Sequence, residues 1–227
     1  TLDRVANTWR FDHTNTALAE GTYNVQVRVI DTANNVGQLT SQNVVINSQP
    51  SAATVEFTGI TEDSGVVGDY ITNDNTLVLH GKVLNNLATT DHVEISLDHG
   101  ATWQEAVVDR TNHIWSYDNT ANQLVDGDYT FQARVVNVAG VVGPVSSINV
   151  EIDTQVPDPS TLAKLTTITD DTGAIGDLVT SDNTLLLNGE IIGQLDATDK
   201  VLISLNGGKT WSEATVDHVN KTWSFDN

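Results

Sequence analysis

Cysteine is absent from the chain of 227 residues. A disulfide framework and a thiolate metal site are therefore both excluded. Basic residues are scarce, with 10 Lys and Arg against 30 Asp and Glu and a formal net charge of −20. This balance argues against binding of nucleic acid, or of an anionic membrane surface, through a basic patch. It favours cations as partners, or simply a soluble and self-repelling surface.

Long apolar runs and helix signals are also missing. No apolar stretch approaches the roughly 18 residues of a membrane span, so we expect no direct membrane insertion. Val, Thr, Ile, Asn, Asp and Gly dominate instead, which is typical of short strands joined by turns. The opening segment TLDRVANTWR lacks a signal-peptide pattern and resembles the interior of a domain.

Internal repeats set the domain organisation. ISLDHGATWQEA at 95–106 returns as ISLNGGKTWSEA at 203–214, and LDRVANTWRFD at 2–12 matches VDRTNHIWSYD at 108–118. We predict the C-terminal half of one repeat at 1–48, a complete repeat at 49–155 and the N-terminal part of a third at 156–227. Half a sandwich cannot bury both faces of its strands, so we expect a piece of a longer array. The alternative is a strand-swapped assembly between molecules.

Seven strands are predicted in the complete repeat, separated by turn signals. Seven short strands in one repeat predict an all-β fold of tandem seven-stranded immunoglobulin-like β-sandwiches, arranged as a linear rod. The predicted strands are about 53–59, 76–84, 92–97, 102–108, 113–117, 129–138 and 145–152. The sixth alternates, which predicts one face formed by Tyr129, Phe131, Ala133 and Val135.

Aromatic residues recur at equivalent places in the repeats. Tyr23 and Tyr129 each stand two residues after a glycine at the start of the sixth strand, which resembles the tyrosine corner of such sandwiches. The alternative is that they are binding-site aromatics. Trp9, Trp115 and Trp223 each stand two residues before Phe or Tyr, and we predict that the tryptophans are core residues.

Two loops repeat a pattern of acids around glycines, EDSGVVGDYITNDNTL at 62–77 and DDTGAIGDLVTSDNTL at 170–185. Oxygen-rich clusters in Gly/Asn loops suit Ca²⁺, which takes six to eight oxygens, better than Mg²⁺, which demands a tight octahedron. The alternative is a solvated acidic loop. The acid positions repeat while their neighbours differ, which favours the cation site. The predicted ligands are Glu62, Asp63, Asp69, Asp74, Asp170, Asp171, Asp177 and Asp182.

A second Ca²⁺ site is predicted at the linker after the complete repeat. Asp153 leaves the last strand beside the acidic loop, and Asp196 or Asp199 of the third repeat could close a site shared between domains. The upstream linker has Asn47 in place of Asp153, and the turn facing it begins at the neutral Asn137. That junction should bind Ca²⁺ more weakly, because charge count sets affinity at such sites.

The segment SLDHGATW at 96–103 matches the Asp-box pattern of sialidase propellers, but we predict a turn and not a catalytic site. Propeller blades recur at roughly 40–50 residues, much shorter than the offset of 108 residues between the segments at 95–106 and 203–214. The chain also lacks a convergent base, nucleophile and orienting group, so we expect no enzyme.

Five motifs stand out: the acidic loop, the S-x-D-x-G-x-T-W segment, W-S-Y-D, D-G-x-Y-x-F-x-A and the closing I-D-T. Together these motifs resemble the bacterial Ig-like repeats of giant adhesins and biofilm-associated proteins of Gram-negative bacteria. The resemblance implies an extracellular stalk on the bacterial surface, exported by type I secretion and stiffened by Ca²⁺ at the domain junctions. It places the acidic-loop ligands at Asp63, Asp69, Asp74, Asp171, Asp177 and Asp182.

The function predicted from the sequence is therefore an extender that projects a distal adhesive region. Its direct partners are the neighbouring repeats, and a host or surface ligand is expected to bind elsewhere in the protein. The alternative is that these domains themselves bind a host or matrix ligand, either protein or glycan.

Overall fold

The computed structural model describes residues 1–226. The chain divides into two compact units, and the boundary lies between Thr154 and Gln155. Strands joined by turns account for its regular structure. Among the described residues, no helix is long and apolar enough to cross a membrane.

The first unit opens with two antiparallel hairpins from the partial repeat. Their strands are β1 (Leu2–Asp3), β2 (Thr8–Trp9), β3 (Gly21–Val27) and β4 (Thr40–Ile46). Trp9 was predicted to be a core residue, and this is wrong: it is 59% exposed. The partial repeat contains only the hairpins β1–β2 and β3–β4, and neither covers this tryptophan.

The complete repeat follows as two sheets packed face to face, which confirms the predicted all-β, immunoglobulin-like class. Its strands are β5 (Thr54–Ile60), β6 (Ile71–Thr72), β7 (Val78–Leu84), β8 (His92–Ser96), β9 (Gln104–Glu105), β10 (Val107–Asp109), β11 (Ile114–Asp118), β12 (Gly127–Val136) and β13 (Val142–Ile152). One sheet has the order β10-β11-β7-β5 and the other the order β6-β13-β12-β8-β9.

The predicted count of seven strands is not confirmed, because the repeat has nine strand segments. The predicted fourth strand, 102–108, changes sheets at Ala106: β9 pairs with β8 in one sheet, and β10 pairs with β11 in the other. The additional strand β6 runs parallel to the end of β13, and it lies within the acidic loop.

The core of the complete repeat lies between the two sheets. Trp115 and Phe131 are each only 1% exposed, and the indole of Trp115 donates a hydrogen bond to the carbonyl of Glu56 at 3.2 Å. Phe57 meets the same indole edge to face, at 5.0 Å between ring centroids. The core position predicted for Trp115 is therefore confirmed. Alternation along β12 also buries Ala133 and Val135, as predicted.

The tyrosine corner is present in both copies. The hydroxyl of Tyr129 donates to the carbonyl of Val125 at 2.9 Å and accepts from its amide at 3.1 Å. The hydroxyl of Tyr23 donates to the carbonyl of Ala19 at 3.0 Å. The rings are partly buried and the hydroxyls lie near the surface.

The second unit repeats the first half of the same sandwich. Its strands are β14 (Leu162–Ile168), β15 (Leu186–Ile192), β16 (Leu202–Ile203), β17 (Ser212–Glu213), β18 (Thr215–Asp217) and β19 (Thr222–Asp226). β14, β15, β19 and β18 form one sheet, and β16 and β17 form a hairpin. Trp223 is 4% exposed, so its predicted core position is confirmed.

Candidate cation site in the acidic loops

The two acidic loops fold in the same way. The first connects β5 to β7 and the second connects β14 to β15. Both place a residue with positive φ at their start, Glu62 at 50° and Asp170 at 49°. Both place a second one eight residues later, Tyr70 at 60° and Leu178 at 59°. Because positive φ is costly for side chains other than glycine, its recurrence at two non-glycine positions shows that one loop conformation is specified twice.

The second acid of each loop, Asp63 or Asp171, accepts a hydrogen bond from a glycine five residues later. One carboxylate oxygen of Asp63 accepts the amide of Gly68 at 2.6 Å, and Asp171 accepts the amide of Gly176 at the same distance. Gly68 has φ of 99° and Gly176 has φ of 90°, a region that glycine enters without steric cost. The acids and glycines of the motif are therefore coupled by a hydrogen bond.

The remaining acids of the motif cap the amides that follow them. Asp69 accepts the amide of Ile71 at 3.0 Å, as its copy Asp177 does with Val179 at 2.9 Å. The fourth acid of each loop accepts both the amide and the hydroxyl of a threonine two residues later. The pairs are Asp74 with Thr76 and Asp182 with Thr184. The amide of Thr184, followed by its hydroxyl, holds the pKa of Asp182 below its ordinary value.

A loop threonine connects the start of the loop to its end. The hydroxyl of Thr72 donates to the carbonyl of Glu62 at 2.5 Å and accepts the amide of Asp74 at 3.0 Å. Thr180 makes the same two bonds in the second loop. The side chains of Glu62 and Asp170 are exposed, so their backbone carbonyls and not their carboxylates hold the loop.

In each loop, one buried carboxylate oxygen has no hydrogen-bond donor. The second carboxylate oxygen of Asp63 is buried without a partner, and so is that of Asp171. A buried anionic oxygen without a donor is costly, and a bound cation would satisfy it. The same unpartnered atom occurs in both copies, and it is the feature of this structure that fits Ca²⁺. Carbonyls, hydroxyls and amide oxygens of the loop would complete the shell.

The carboxylates themselves are dispersed. Within residues 1–226, no group of three or more His, Asp or Glu side chains lies close enough to hold a metal ion. The acids of each loop are separated because each one caps a different backbone amide. The predicted ligand set of Glu62, Asp69 and Asp74 around Asp63 therefore stays a prediction, as does that of the second loop.

The predicted linker ligands make hydrogen bonds within their own units. The amide of Asp153 donates to the carbonyl of Thr72, which fixes the end of β13 against the first acidic loop. Asp196 and Asp199 share one tight turn of the second unit, where the amide of Asp196 donates to the carboxylate of Asp199 at 3.2 Å. Their shared site with Asp153 stays a prediction.

An acid anchors the chain where it leaves each repeat, a contact that the sequence analysis missed. One carboxylate oxygen of Asp126 accepts the amide of Thr154 at 3.0 Å and its hydroxyl at 2.8 Å. Glu20 accepts the amide and the hydroxyl of Ser48 at the equivalent place. In both repeats an acid is followed 28 residues later by a hydroxyl residue, and this recurrence could have predicted the contact.

The Asp-box segment forms a hydrogen-bonded turn, as predicted. Asp98 accepts the amide of Thr102 at 2.7 Å, the hydroxyl of Thr102 at 2.6 Å and the hydroxyl of Ser96 at 2.8 Å. These bonds, led by the Thr102 hydroxyl, lower the pKa of Asp98 to about 2. In the second copy Asn206 makes the equivalent bonds to Ser204 and Thr210.

The tryptophan of this turn is covered by an arginine. The guanidinium carbon of Arg134 lies 3.8 Å from the ring centroid of Trp103, and a terminal nitrogen of the same group is 2.8 Å from the carboxylate of Glu94. The arginine comes from β12 and the glutamate from β8, so pairing of these strands assembles the stack. In the second unit the equivalent Trp211 is 60% exposed.

Comparison with known proteins finds a family model that matches the complete repeat. Residues 51–154 match the family model described as "Bacterial Ig-like domain". The resemblance inferred from the motifs is thereby confirmed. A solved structure described as "Crystal structure of tetra-tandem repeat in extending region of large adhesion protein" is similar at 20% identity and a TM-score of 0.30. The match covers 92% of this chain and 49% of that chain, so this chain spans about half its length. A search of curated proteins found no match.

Proposed function

We propose that this chain, whose complete repeat is a bacterial Ig-like domain, is a Ca²⁺-stabilised extender segment of a large bacterial surface adhesin. It acts outside the cell, where type I secretion would deliver it, and projects a distal adhesive region for attachment to cells or surfaces. Its partners are the neighbouring repeats of the same chain, and nucleic acid is not among them.

The repetition of one complete loop design is the observation that carries this proposal. Both acidic loops preserve the two positive-φ residues, the hydrogen bond from the glycine amide and the buried oxygen of Asp63 or Asp171 that has no donor. A turn that only reversed the chain would not need an unpartnered anionic oxygen in each copy. A repeated cation site in a repeated domain supports a mechanical role, because each bound ion stiffens one unit of the array.

The anchored exits support the same role. Glu20 and Asp126 hold a residue at the end of each repeat, so tension along the chain reaches a hydrogen-bonded domain edge. The Asp-box side chains are occupied by turn hydrogen bonds, which supports a structural use of this motif and not catalysis.

Removal of Ca²⁺ tests the proposed site. Extracellular Ca²⁺ modules have Kd values of about 10⁻⁴–10⁻³ M. At ten times Kd, each site would add about 1.4 kcal/mol of stability by mass action. We expect Ca²⁺ to raise the melting temperature above that measured in chelator at low salt.

Asp63→Asn is the sharpest variant for this test. An asparagine can still accept the amide of Gly68, but it places an NH₂ donor where the unpartnered oxygen lies. The variant should fold and should lose the part of the Ca²⁺-dependent increase in melting temperature that the first loop contributes. The double variant with Asp63→Asn and Asp171→Asn should lose the contributions of both loops. Asp118→Asn is the control, because Asp118 caps Thr120 and has no unpartnered buried oxygen. Equal melting temperatures of the natural chain with Ca²⁺ and with chelator would contradict the cation site.

The extender role has a separate test. The chain, immobilised at defined density, is exposed to glycan arrays, matrix proteins and host cells. An extender should show no saturable binding, and in force spectroscopy the complete repeat should unfold as one step. Saturable binding abolished by a surface substitution would instead support the alternative, in which these domains bind the ligand themselves.

A further inference from the structure

The turn that begins at Asn137 is closed by its own side chain. The side-chain oxygen of Asn137 accepts the amides of Ala139 and Val141, each at 2.9 Å. The backbone of Asn137 also bonds to Val141 and Gly140. With its oxygen committed to the turn, the NH₂ group of the side chain points away from it.

That NH₂ group binds the linker at the boundary between the two repeats. It donates to the backbone carbonyl of Gln49 at 2.7 Å and to the side-chain oxygen of Asn47 at 3.3 Å. Asn47 and Gln49 follow β4, so these bonds join the partial repeat to the complete one. Asn137 is 3% exposed, so its carboxamide is shielded from water. Buried amide hydrogen bonds of this kind need no ion to satisfy either side.

The equivalent turn of the first repeat shows what an acid does at this position. Asp31 accepts the amides of Ala33 and Asn35 through one oxygen, as Asn137 does in its own turn. Its second oxygen accepts the side-chain NH₂ of Asn35 at 2.7 Å. The second repeat has changed both members of this pair, since Asn137 replaces the acid and Val141 replaces the internal donor.

We propose that the junction between the first two repeats is a direct, metal-free contact held by the carboxamide of Asn137. The Ca²⁺ that the family resemblance implies at domain junctions does not fit here. Its place beside the oxygens of Asn47 and Gln49 is taken by an NH₂ donor, which a cation would repel. An aspartate at 137 would face these oxygens with a third oxygen and would lose the contact. The proposal is independent of the cation site in the acidic loops.

Distance measurement between spin labels tests this junction in the whole chain. Because the chain has no cysteine, Ser41→Cys on β4 and Ser147→Cys on β13 give two unique labels at exposed serines. We expect one narrow distance distribution that is the same in Ca²⁺ and in chelator. Asn137→Asp should broaden this distribution in chelator, with loss of the narrow peak.

Two further variants separate the junction from its surroundings. Asn137→Asp with Val141→Asn restores the internal bond seen at Asp31, and it should keep the turn but still lack the narrow peak. Asn43→Asp is the charge control: Asn43 accepts the side-chain NH₂ of Asn24 at 2.8 Å, which a carboxylate does equally well. It should behave as the natural chain does. Chelator-dependent broadening in the natural chain, a narrow peak in Asn137→Asp, or broadening in Asn43→Asp would each overturn the proposal.

Discussion

Trp115 occupies the space into which a side chain at its cross-strand partner Gly81 would project. A β-carbon at Gly81 would lie 2.6 Å from two atoms of the indole ring and 2.0 Å from the carbonyl oxygen of Glu56. Gly81→Ala should therefore destabilise the complete repeat by about 3 kcal/mol, the upper part of the range for overpacking. Urea unfolding followed by tryptophan fluorescence measures the loss. Gly143→Ala is the control, because its β-carbon would meet nothing closer than 3.3 Å. Equal losses in the two variants would contradict the close packing.

The turn at Asp98 predicts a particular dependence of stability on pH. Hydrogen bonds lower its pKa from the ordinary 3.8 to about 2 in the folded chain. A carboxylate with a lowered folded pKa contributes stability above its unfolded pKa, and this contribution is lost as the pH falls through the folded value. The urea midpoint of the natural chain should therefore fall between about pH 4 and pH 2.

Asp98→Asn should lose less stability over the same pH window. The turn should survive, because Asn206 forms it in the second copy. Asp98→Ala is the control for the turn itself and should be less stable than the natural chain at neutral pH. An unchanged slope against pH in Asp98→Asn would show that this carboxylate does not contribute.

Several of these features could be predicted from the sequence because they follow local rules. Alternation along β12 and the Gly-x-Tyr spacing predicted the buried face and the tyrosine corner, and both need only neighbours in the chain. The change of sheets at Ala106 could not be predicted in this way. Residues 102–108 were predicted as one continuous strand, and their pairing depends on β8 and β11, which belong to different sheets.

The acidic loops could likewise be predicted only in part. Their repetition predicted a common function, and the structure has a common conformation. The pattern could not show that Asp63, Asp69 and Asp74 each cap a different amide, because that depends on the positive φ values of Glu62 and Tyr70. Nor could it show that one oxygen of Asp63 is buried without a donor.

The tyrosine corner predicts a modest loss on removal of one hydroxyl. Tyr129→Phe removes two bonds to Val125, one donated and one accepted, at the edge of the sandwich. The free energy of unfolding should fall by about 1 kcal/mol. Tyr117→Phe is the matched control, because its hydroxyl makes one hydrogen bond, to the exposed side chain of Gln104, and it should cost less. A neutral effect of Tyr129→Phe would mean that the corner does not stabilise the fold.

The anchor at Asp126 predicts where the exit of the complete repeat is held. Asp126→Ala removes the acceptor of the Thr154 amide and hydroxyl while leaving the core unchanged. Hydrogen bonds to charged groups contribute roughly 1.5–3 kcal/mol, so the Thr154 amide should exchange with solvent at least about tenfold faster. Native-state hydrogen exchange measures this rate directly, and buried amides such as that of Phe131 serve as an internal reference.

Asp128→Ala removes an exposed acid two residues further along the chain, and it should leave the Thr154 rate unchanged. Asp126→Asn should retain much of the protection, since an amide oxygen can still accept both bonds. If Thr154 exchanges equally fast in Asp126→Ala and in the natural chain, tension on the linker is not transmitted to the domain through this carboxylate.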